Sequence, residues 1–293
     1  MEINATYNKY YKLLLLVPAA LLLFSLIYSA VFIQKNGDIV YKDVSLTGGT
    51  VLTVFDTKAD VDAIETAIKA DFPDSGVRKI SDFRTGGQKG FFIETKATPE
   101  EITPKVEGLL GYELTSDNSS VEFSAATLSQ GFYKQLQMAI LIAFVLMAMV
   151  IFIIFRSFVP SFAVILSAFA DIMMTVTVVN LLGMQLSTAG IVGFLMLIGY
   201  SVDTDILLTS RVLKEKEGSI NSRTWGAFKT GMTMSITSLV AIAAAYYITA
   251  PLSESLKQIF GILLIGLVFD IFNTWFTNAS MLKWYVERKE NKQ

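Results

Sequence analysis

Six long apolar runs, separated by shorter polar segments, dominate the pattern of hydrophobic and polar positions along this chain. Each run has about 20 residues or more, which is the length that a helix needs to cross roughly 30 Å of hydrocarbon. The pattern therefore predicts six transmembrane helices, which we number spans 1 to 6. Their predicted ranges are residues 12–33, 132–155, 160–182, 186–210, 231–250 and 256–282.

Span 1 begins after basic residues near the start of the sequence, a position that a secretory signal peptide also occupies. Its apolar run is too long for the core of such a peptide, and no clear small-residue cleavage site follows it. We therefore interpret span 1 as a retained membrane anchor.

Basic residues are concentrated in the segments on one side of the six spans. By the positive-inside rule these segments face the cytoplasm, which places both termini inside and residues 34–131 outside. An even number of spans independently requires the two termini to share a side. The basic residues are Lys9 and Lys12 before span 1, Arg156 after span 2, Arg211, Lys214, Lys216, Arg223 and Lys229 between spans 4 and 5, and Lys283, Arg288, Lys289 and Lys292 after span 6.

The long segment between spans 1 and 2 alternates strand-like and helix-like patterns, as a small folded domain does. Strands are predicted at residues 49–55, 77–83, 90–96 and 121–125, and helices at 59–71 and 99–110. In the first helix, Val61, Ile64 and Ile68 recur at helical spacing after an acidic first turn. The order β-α-β-β-α-β predicts a ferredoxin-like α+β fold. We call this segment the sheet domain.

The predicted fold is thus a polytopic α-helical membrane protein with an extracytoplasmic ferredoxin-like domain. Its three parts are residues 1–33 with the N-terminal tail and span 1, residues 34–131 with the sheet domain, and residues 132–293 with spans 2 to 6 and a cytoplasmic tail. Composition agrees, since 53% of residues are hydrophobic, only 17% are charged and the mean hydropathy is +0.52.

The residue types present restrict the possible chemistry. The chain has no Cys and no His, so thiolate metal sites and the commonest metal ligand are absent, and any proton carrier has to be a carboxylate. No catalytic arrangement occurs in the sheet domain. Its glycine pairs Gly48-Gly49 and Gly86-Gly87 are not followed by the Lys-Ser/Thr of a P-loop and are not part of a complete GxGxxG motif. We expect neither an enzyme nor a metal or cofactor site, and no nucleic acid as a partner.

Four carboxylates interrupt the apolar spans: Asp171, Asp203, Asp205 and Asp270. A charge in the hydrocarbon is costly, so an ionisable residue there is a functional-site hypothesis by default. Counted along each helix from its cytoplasmic end, all four lie between the inner boundary and the midplane. We therefore expect neighbouring helices to bring these proton-path or ion-path candidates together, along with the span 5 hydroxyls of Thr233, Ser235, Thr237 and Ser238.

Asp203 and Asp205 are two positions apart, which places them about 200° apart around a regular helix. They therefore cannot both face one path unless the helix is locally unwound. Asp205 shares a helix face with Ser201 and Thr209, whereas Asp203 shares one with Gly199. Two interpretations remain open: one carboxylate serves transport while the other contacts a partner chain, or both only accept hydrogen bonds.

The remaining membrane candidates also have two interpretations each. Asp270 begins a polar stripe on span 6 that continues with Asn273, Thr274 and Asn278. Interhelical hydrogen bonds alone explain such a stripe equally well, and Asp171 on span 3 has the same two interpretations. Lys229 is either a determinant of topology or a counter-ion to the carboxylates.

Just after span 1 the chain contains Thr47-Gly48-Gly49-Thr50, and span 4 contains Gly199-Tyr200-Ser201-Val202. These two motifs resemble those of the SecF family of protein-export membrane subunits, in the SecD/SecF group of the resistance–nodulation–division superfamily. The six-span layout with one large outer domain also fits this family, so the resemblance covers essentially the whole chain. The Asp203-Thr204-Asp205 form is similar to that of the archaeal branch.

The resemblance implies a cell-membrane subunit that acts with a SecD-like subunit and a SecYEG-type translocon to export polypeptides, assisted by the proton gradient. In the bacterial pattern Gly-Tyr-Ser-Val-Asn-Asp-Thr, Asp203 takes the Asn position and Thr204 takes the Asp position. Asp171 matches an Asp of the family's span 3, and Lys229 stands where the family has an Arg. The resemblance also implies two further partners, the lipid bilayer and the exported polypeptide.

Two alternatives from other functional classes remain. One is a transporter half that exports small hydrophobic substrates, which a deep apolar cleft in the sheet domain would favour. The other is a non-transporting scaffold for a translocon, which predicts that neutralising the buried carboxylates leaves export intact.

Overall fold

The computed structural model describes residues 11, 13–82, 85–214, 219–251 and 253–290. Within these residues six helices are long and apolar enough to cross a membrane, which confirms the six predicted spans. Lys9, Lys12, Lys216 and Lys292 lie outside the described residues, as does the end of the predicted strand 77–83. Spans 1 to 6 are Leu16–Asn36, Ser129–Phe155, Phe158–Leu181, Thr188–Lys214, Ile220–Thr249 and Glu254–Lys289.

The helices of spans 4, 5 and 6 extend beyond their apolar runs. Arg211 and Lys214 therefore lie on the last turn of span 4, and Arg223 and Lys229 on the first turns of span 5, and not in a loop. Span 6 continues through a π-helical turn at Thr274–Asn278 into the helix Ala279–Glu290.

Spans 3, 4 and 6 form the centre of the bundle. In their most apolar windows 67%, 56% and 44% of residues are buried, against 22%, 11% and 17% in spans 1, 2 and 5. Small residues let the central helices approach closely: a side chain added at Gly266 of span 6 would lie 2.4 Å from Leu197 of span 4. The outer three spans therefore present most of their apolar surface to the surroundings.

The sheet domain contains a four-stranded antiparallel sheet with strand order β2-β3-β1-β4. Its helices begin at residues that satisfy their first N–H groups. Asp60 accepts a hydrogen bond from the N–H of Ala63, and Thr98 with Glu101 forms a capping box. The elements in chain order are α1 Val44–Thr47, β1 Gly49–Val54, α2 Val61–Asp71, β2 Gly76–Ser81, β3 Gln88–Thr95, α3 Pro99–Leu110 and β4 Ser119–Ser124.

One face of this sheet packs against α2 and α3. Alternate residues of the two central strands are fully buried, Leu52 and Val54 in β1 and Phe91 and Ile93 in β3. The helices contribute the stripes predicted from sequence. The core is Leu52, Val54, Val61, Ile64, Ile68, Val77, Phe91, Ile93, Ile102 and Val106. The sheet domain therefore has a hydrophobic core of its own.

The segment that joins span 1 to the sheet domain is hydrogen-bonded to the ends of spans 3 and 4. The Leu186 N–H donates to the Tyr41 carbonyl at 2.6 Å, and the Asp43 N–H donates to the Leu186 carbonyl at 3.1 Å. The Thr188 hydroxyl lies 2.9 Å from that of Ser45. These bonds attach the base of the sheet domain to the central helices.

Candidate functional site

Three of the four predicted carboxylates form one buried cluster between spans 3, 4 and 6. Asp171 and Asp205 have no exposed surface, and Asp270 is 1% exposed. The carboxyl of Asp270 lies close enough to those of Asp171 and Asp205 for their charges to interact. The structure therefore brings these three of the four residues together between neighbouring helices.

Asp171 connects the three central helices through its two carboxyl oxygens. Its Oδ2 accepts a hydrogen bond from the Ser201 hydroxyl of span 4 at 2.5 Å. Its Oδ1 accepts one from the Asn273 side-chain amide of span 6 at 2.6 Å. One side chain of span 3 thus fixes the relative positions of both neighbouring spans.

Asp205 and Asp270 are each hydrogen-bonded at only one carboxyl oxygen. Asp205 accepts from the Asn278 amide at 2.8 Å, and Asp270 accepts from the Thr274 hydroxyl at 3.4 Å. Among the described residues, the Oδ2 atoms of Asp205 and Asp270 are buried without a hydrogen-bond partner. All the donors to the cluster are uncharged, so the two remaining oxygens are positions at which protons can bind.

The π-helical turn of span 6 places Asn278 beside Asp205. On a regular α-helix, Asn273 and Asn278 would lie about 140° apart and could not both face the cluster. A π turn is hydrogen-bonded between residues five apart and so brings them close to one above the other. The local sequence gives no clear signal for this turn. The polar stripe predicted on span 6 therefore names the right residues, but regular helical spacing does not explain how both Asn273 and Asn278 face the cluster.

Asp203 lies outside the cluster. Its side chain is exposed on the surface of the helix bundle, and the neighbouring Gly199 faces open space. Ser201, Asp205 and Thr209, on the opposite face of span 4, are buried, as the predicted angle of about 200° requires. The expectation that all four carboxylates share one centre is therefore wrong for Asp203.

Span 5 contributes little to the cluster because it packs at the edge of the bundle. Thr233 and Thr237 are exposed and donate their hydroxyls to carbonyls of their own helix. Only the Ser235 hydroxyl is buried against span 4, 3.4 Å from that of Thr204. The expectation that Thr233 and Thr237 join the polar centre is wrong.

Lys229 contacts none of the four aspartates in the part of the chain that the structure describes. Its ammonium lies over the ring of Trp225, 5.8 Å from the centroid, and its side chain is exposed at the end of span 5. The structure thus gives no contact that supports the predicted counter-ion role.

The Thr47-Gly48-Gly49-Thr50 motif forms the joint between α1 and β1. Gly48 and Gly49 have φ angles of 90° and 147°. A side chain on Gly49 would lie 2.3 Å from the Thr95 carbonyl oxygen of the neighbouring strand. The buried Thr50 hydroxyl donates to the Ala97 carbonyl at 2.6 Å, and that of Thr47 donates to the Asp43 carbonyl at 2.8 Å. These contacts give the motif a structural role.

The span 4 motif divides between two surfaces. Ser201 is hydrogen-bonded to Asp171, and Val202 is buried against residues of spans 2 and 3. Gly199 and Tyr200 are exposed on the same side of the bundle as Asp203. The motif therefore contributes Ser201 to the buried cluster, and Gly199 and Tyr200 to an exposed surface.

A second group of charges, missed from the sequence, lies where the sheet domain meets the spans. Arg78 of β2 forms an ion pair with Glu254 at the start of span 6, and Asp43 and Glu94 lie nearby. Burial raises the pKa of the Asp43 carboxyl. Burial also raises the pKa of Glu94, with Arg78 opposing that rise and Asp43 and Glu254 adding to it. These residues are far apart in sequence, so no local pattern connects them.

Comparisons with known proteins identify similar chains. Residues 110–288 match the family model described as protein export membrane protein SecD/SecF, C-terminal. Protein-export membrane protein SecF of Methanothermobacter thermautotrophicus is 39% identical, with 95% of this chain and 94% of that protein aligned. The SecF of Methanocaldococcus jannaschii is 34% identical, with 97% and 99% aligned.

Among solved structures, the crystal structure of SecDF, a translocon-associated membrane protein from Thermus thermophilus, has a TM-score of 0.73 to this chain at 18% identity. The match covers 95% of this chain but only 38% of the SecDF chain. At this identity the likeness shows a shared fold, in which this chain corresponds to a little over a third of a longer protein.

Proposed function

Because this chain belongs to the SecF family of protein-export membrane proteins, we propose that it acts with a SecD-like membrane subunit and a SecYEG-type translocon to export polypeptides. The chain is a multi-pass membrane protein and an accessory subunit of Sec protein export. Six spans with one large domain correspond to one repeat of the two-repeat transporter design. A homologous partner with the second repeat would complete that design.

The observation that carries the mechanistic proposal is the buried cluster of Asp171, Asp205 and Asp270. Three negative charges surrounded by uncharged donors would be very costly in the hydrocarbon, so the cluster has to hold protons in place of some of those charges. Gain or loss of a proton changes which hydrogen bonds Asp171 and Asp205 make with spans 4 and 6. Proton movement down the gradient would thereby change the packing of the central spans.

The same geometry favours different roles for the two span 4 carboxylates. Asp205, inside the cluster, belongs to the proposed proton path. Asp203 is exposed at membrane depth beside Gly199, where a lone carboxylate facing lipid would be costly. We assign Asp203 to contact with the partner subunit.

The remaining parts of the proposal concern architecture. We assign residues 1–33, 34–131 and 132–293 to the three parts predicted from sequence, with both termini cytoplasmic and the sheet domain outside. The β-α-β-β-α-β order and the β2-β3-β1-β4 sheet support a ferredoxin-like fold for that domain. Attached to the central helices, it would meet the exported polypeptide. The proposal invokes no enzymatic reaction, and the energy comes from the membrane gradient.

The test measures export of a reporter protein in cells together with affinity purification of the complex from native membranes. Asp205→Asn keeps the hydrogen bond from Asn278 possible but removes the titratable group, so export should fall towards background while the complex remains intact. Asp203→Asn should lower recovery of the partner subunit before it affects the fold of this chain. The two variants are matched, since they make the same change two positions apart on one helix.

Other outcomes would favour the alternatives. Normal export with Asp205→Asn in an intact complex would overturn proton coupling through this cluster and favour a scaffold role. Purification of the chain without Sec components, but with export of small hydrophobic compounds, would favour the transporter alternative.

A further inference from the structure

A large cavity lies between the sheet domain and the adjoining ends of the spans. Its volume is about 1050 Å³, which is at the upper end of ordinary ligand pockets. The wall formed by the spans has both apolar and polar side chains. The apolar ones are Leu182, Met184, Tyr246, Leu264 and Ile265, and the polar ones are Gln185, Glu254, Lys257 and Gln258.

The opposite wall of this cavity includes part of an edge strand. Strand β2 is at one end of the sheet order, and its residues Gly76, Val77 and Arg78 line the cavity. An edge strand presents a row of backbone N–H and C=O groups that no neighbouring strand occupies. At the far end of β2, the Ser81 N–H donates to the Pro251 carbonyl at 3.4 Å. The last residue of β2 is therefore already paired with the segment between spans 5 and 6, and the open part of the edge is the part before Ser81.

Most of the charged side chains around the cavity are paired with an opposite charge. Such pairing leaves little uncompensated field of one sign, so charge gives the cavity a weak basis for selecting a ligand. The ion pairs are Lys42 with Asp38, Lys69 with Glu65, Lys96 with Asp74, and Glu254 with both Arg78 and Lys257.

We propose that the β2 edge binds an extended segment of polypeptide in transit, by addition of that segment as a fifth strand. This inference rests on the proposed export function. Strand addition uses backbone hydrogen bonds, which every polypeptide offers whatever its side chains, while alternate side chains enter a neighbouring pocket. The five residues of β2 before Ser81 offer an edge of about 17 Å. A sequence-tolerant edge beside a wall with both apolar and polar side chains suits an unfolded polypeptide of mixed sequence better than a folded ligand of fixed charge.

The experiment uses the full chain in detergent or in nanodiscs, and exploits its lack of native cysteine. Lys79→Cys places a thiol at an exposed position of β2, and Ser120→Cys places one at an exposed position of β4, the opposite edge. We call these the β2 variant and the β4 variant. The probe is an unstructured peptide of about ten residues with one activated cysteine. Its matched twin has the same side chains but N-methyl groups on alternate backbone amides, which block strand pairing.

We expect the unmodified peptide to form a disulfide with the β2 variant and not with the β4 variant. The N-methylated twin should react with the β2 variant about tenfold more slowly, because backbone hydrogen bonds are lost. Equal rates for the two peptides would overturn strand addition. Reaction with the β4 variant in place of the β2 variant would overturn the choice of edge. Loss of the β2 reaction on assembly with the SecD-like subunit would show that the partner occupies β2, which also overturns the proposal.

This test can fail independently of the proposed export function. If cells need the chain for export and it co-purifies with Sec components, but the β2 variant does not react with the peptide, only the strand-addition site is wrong. If export does not depend on the chain, the proposed function is wrong whatever the peptide does.

Discussion

Asp171 shows how one polar residue can organise a membrane bundle. It lies on span 3 but accepts hydrogen bonds from Ser201 on span 4 and Asn273 on span 6. An interhelical hydrogen bond in a membrane contributes on average about 0.6 kcal/mol, and at most about 1.7 kcal/mol. Asp171 is therefore expected to have a modest effect on stability and a larger effect on function.

Substitution of Asp171 separates these two effects. Asp171→Leu leaves two buried donors without an acceptor, and we expect it to destabilise the bundle by about 1–2 kcal/mol. Asp171→Asn retains an acceptor oxygen and should cost less, while export should be lost in both variants. Thermal unfolding of the purified protein in detergent measures the stability, with Asp203→Leu as an exposed control. Equal stability of Asp171→Leu and the wild-type protein would contradict a role of Asp171 in holding spans 3, 4 and 6 together.

At the scale of single elements, the π-helical turn of span 6 is the feature that assembles the cluster. It allows Asn273 to reach Asp171 and Asn278 to reach Asp205. Turns of this kind occur frequently at functional sites, since an α-helix of the same sequence would be regular and easier to form.

The sheet domain is the other self-contained element. Its ten core residues all come from residues 52–106, and about 90 residues with four strands and two packed helices suffice for a modest core. We expect residues 36–126 expressed alone to fold, and to unfold cooperatively on heating in circular dichroism. In this fragment, Gly49→Ala should destabilise strongly because its side chain would collide with the Thr95 carbonyl.

The control for that fragment is Gly108→Ala in α3, where an added side chain meets nothing within 4 Å. It should be neutral or stabilising by up to about 1 kcal/mol, because Ala is the better helix former. A random-coil spectrum without a transition would contradict independent folding and with it the ferredoxin-like assignment.

At the scale of the whole molecule, the charged group at the base of the sheet domain makes stability depend on pH. Burial raises the pKa of Glu94 above its ordinary 4.5. Because the folded state disfavours the charged carboxyl, the destabilisation by Glu94 is absent below pH 4.5, grows as the pH rises above 4.5, and is complete once the pH exceeds the folded pKa. The junction is therefore expected to be weaker at neutral than at acidic pH.

Substitution of Glu94 tests this expectation. Glu94→Gln should raise the unfolding temperature of the full chain at about pH 8 relative to the wild type, and the difference should vanish towards about pH 4. Glu122→Gln on β4, where the side chain is exposed, controls for the loss of one negative charge. A difference between Glu94→Gln and wild type that is independent of pH would contradict the role of burial.

The proposed orientation of the whole molecule can be tested with introduced cysteines, since the chain has none. Ser116 in the sheet domain and Ser222 at the start of span 5 are both exposed. In intact cells, a membrane-impermeant thiol reagent should label Ser116→Cys but not Ser222→Cys, and both should react after the cells are permeabilised. Labelling of Ser222→Cys alone would reverse the topology.

The sequence by itself determined the elements. Six spans follow from the length of six apolar runs, and the strands and helices of the sheet domain follow from local periodicity and from caps such as Asp60. It also determined that Asp203 and Asp205 point in different directions, because helix geometry fixes the angle between two residues on one helix.

Only the tertiary structure decided which direction faces inwards. The rotation of each helix about its axis depends on its packing with other helices, so the burial of Asp205 and the exposure of Asp203 could not be derived from span 4 alone. The same holds for span 5, whose threonine hydroxyls lie outside the cluster because the helix packs at the edge of the bundle. The π turn of span 6 and the contact of Arg78 with Glu254 likewise join residues through packing, and local periodicity does not encode packing between distant segments.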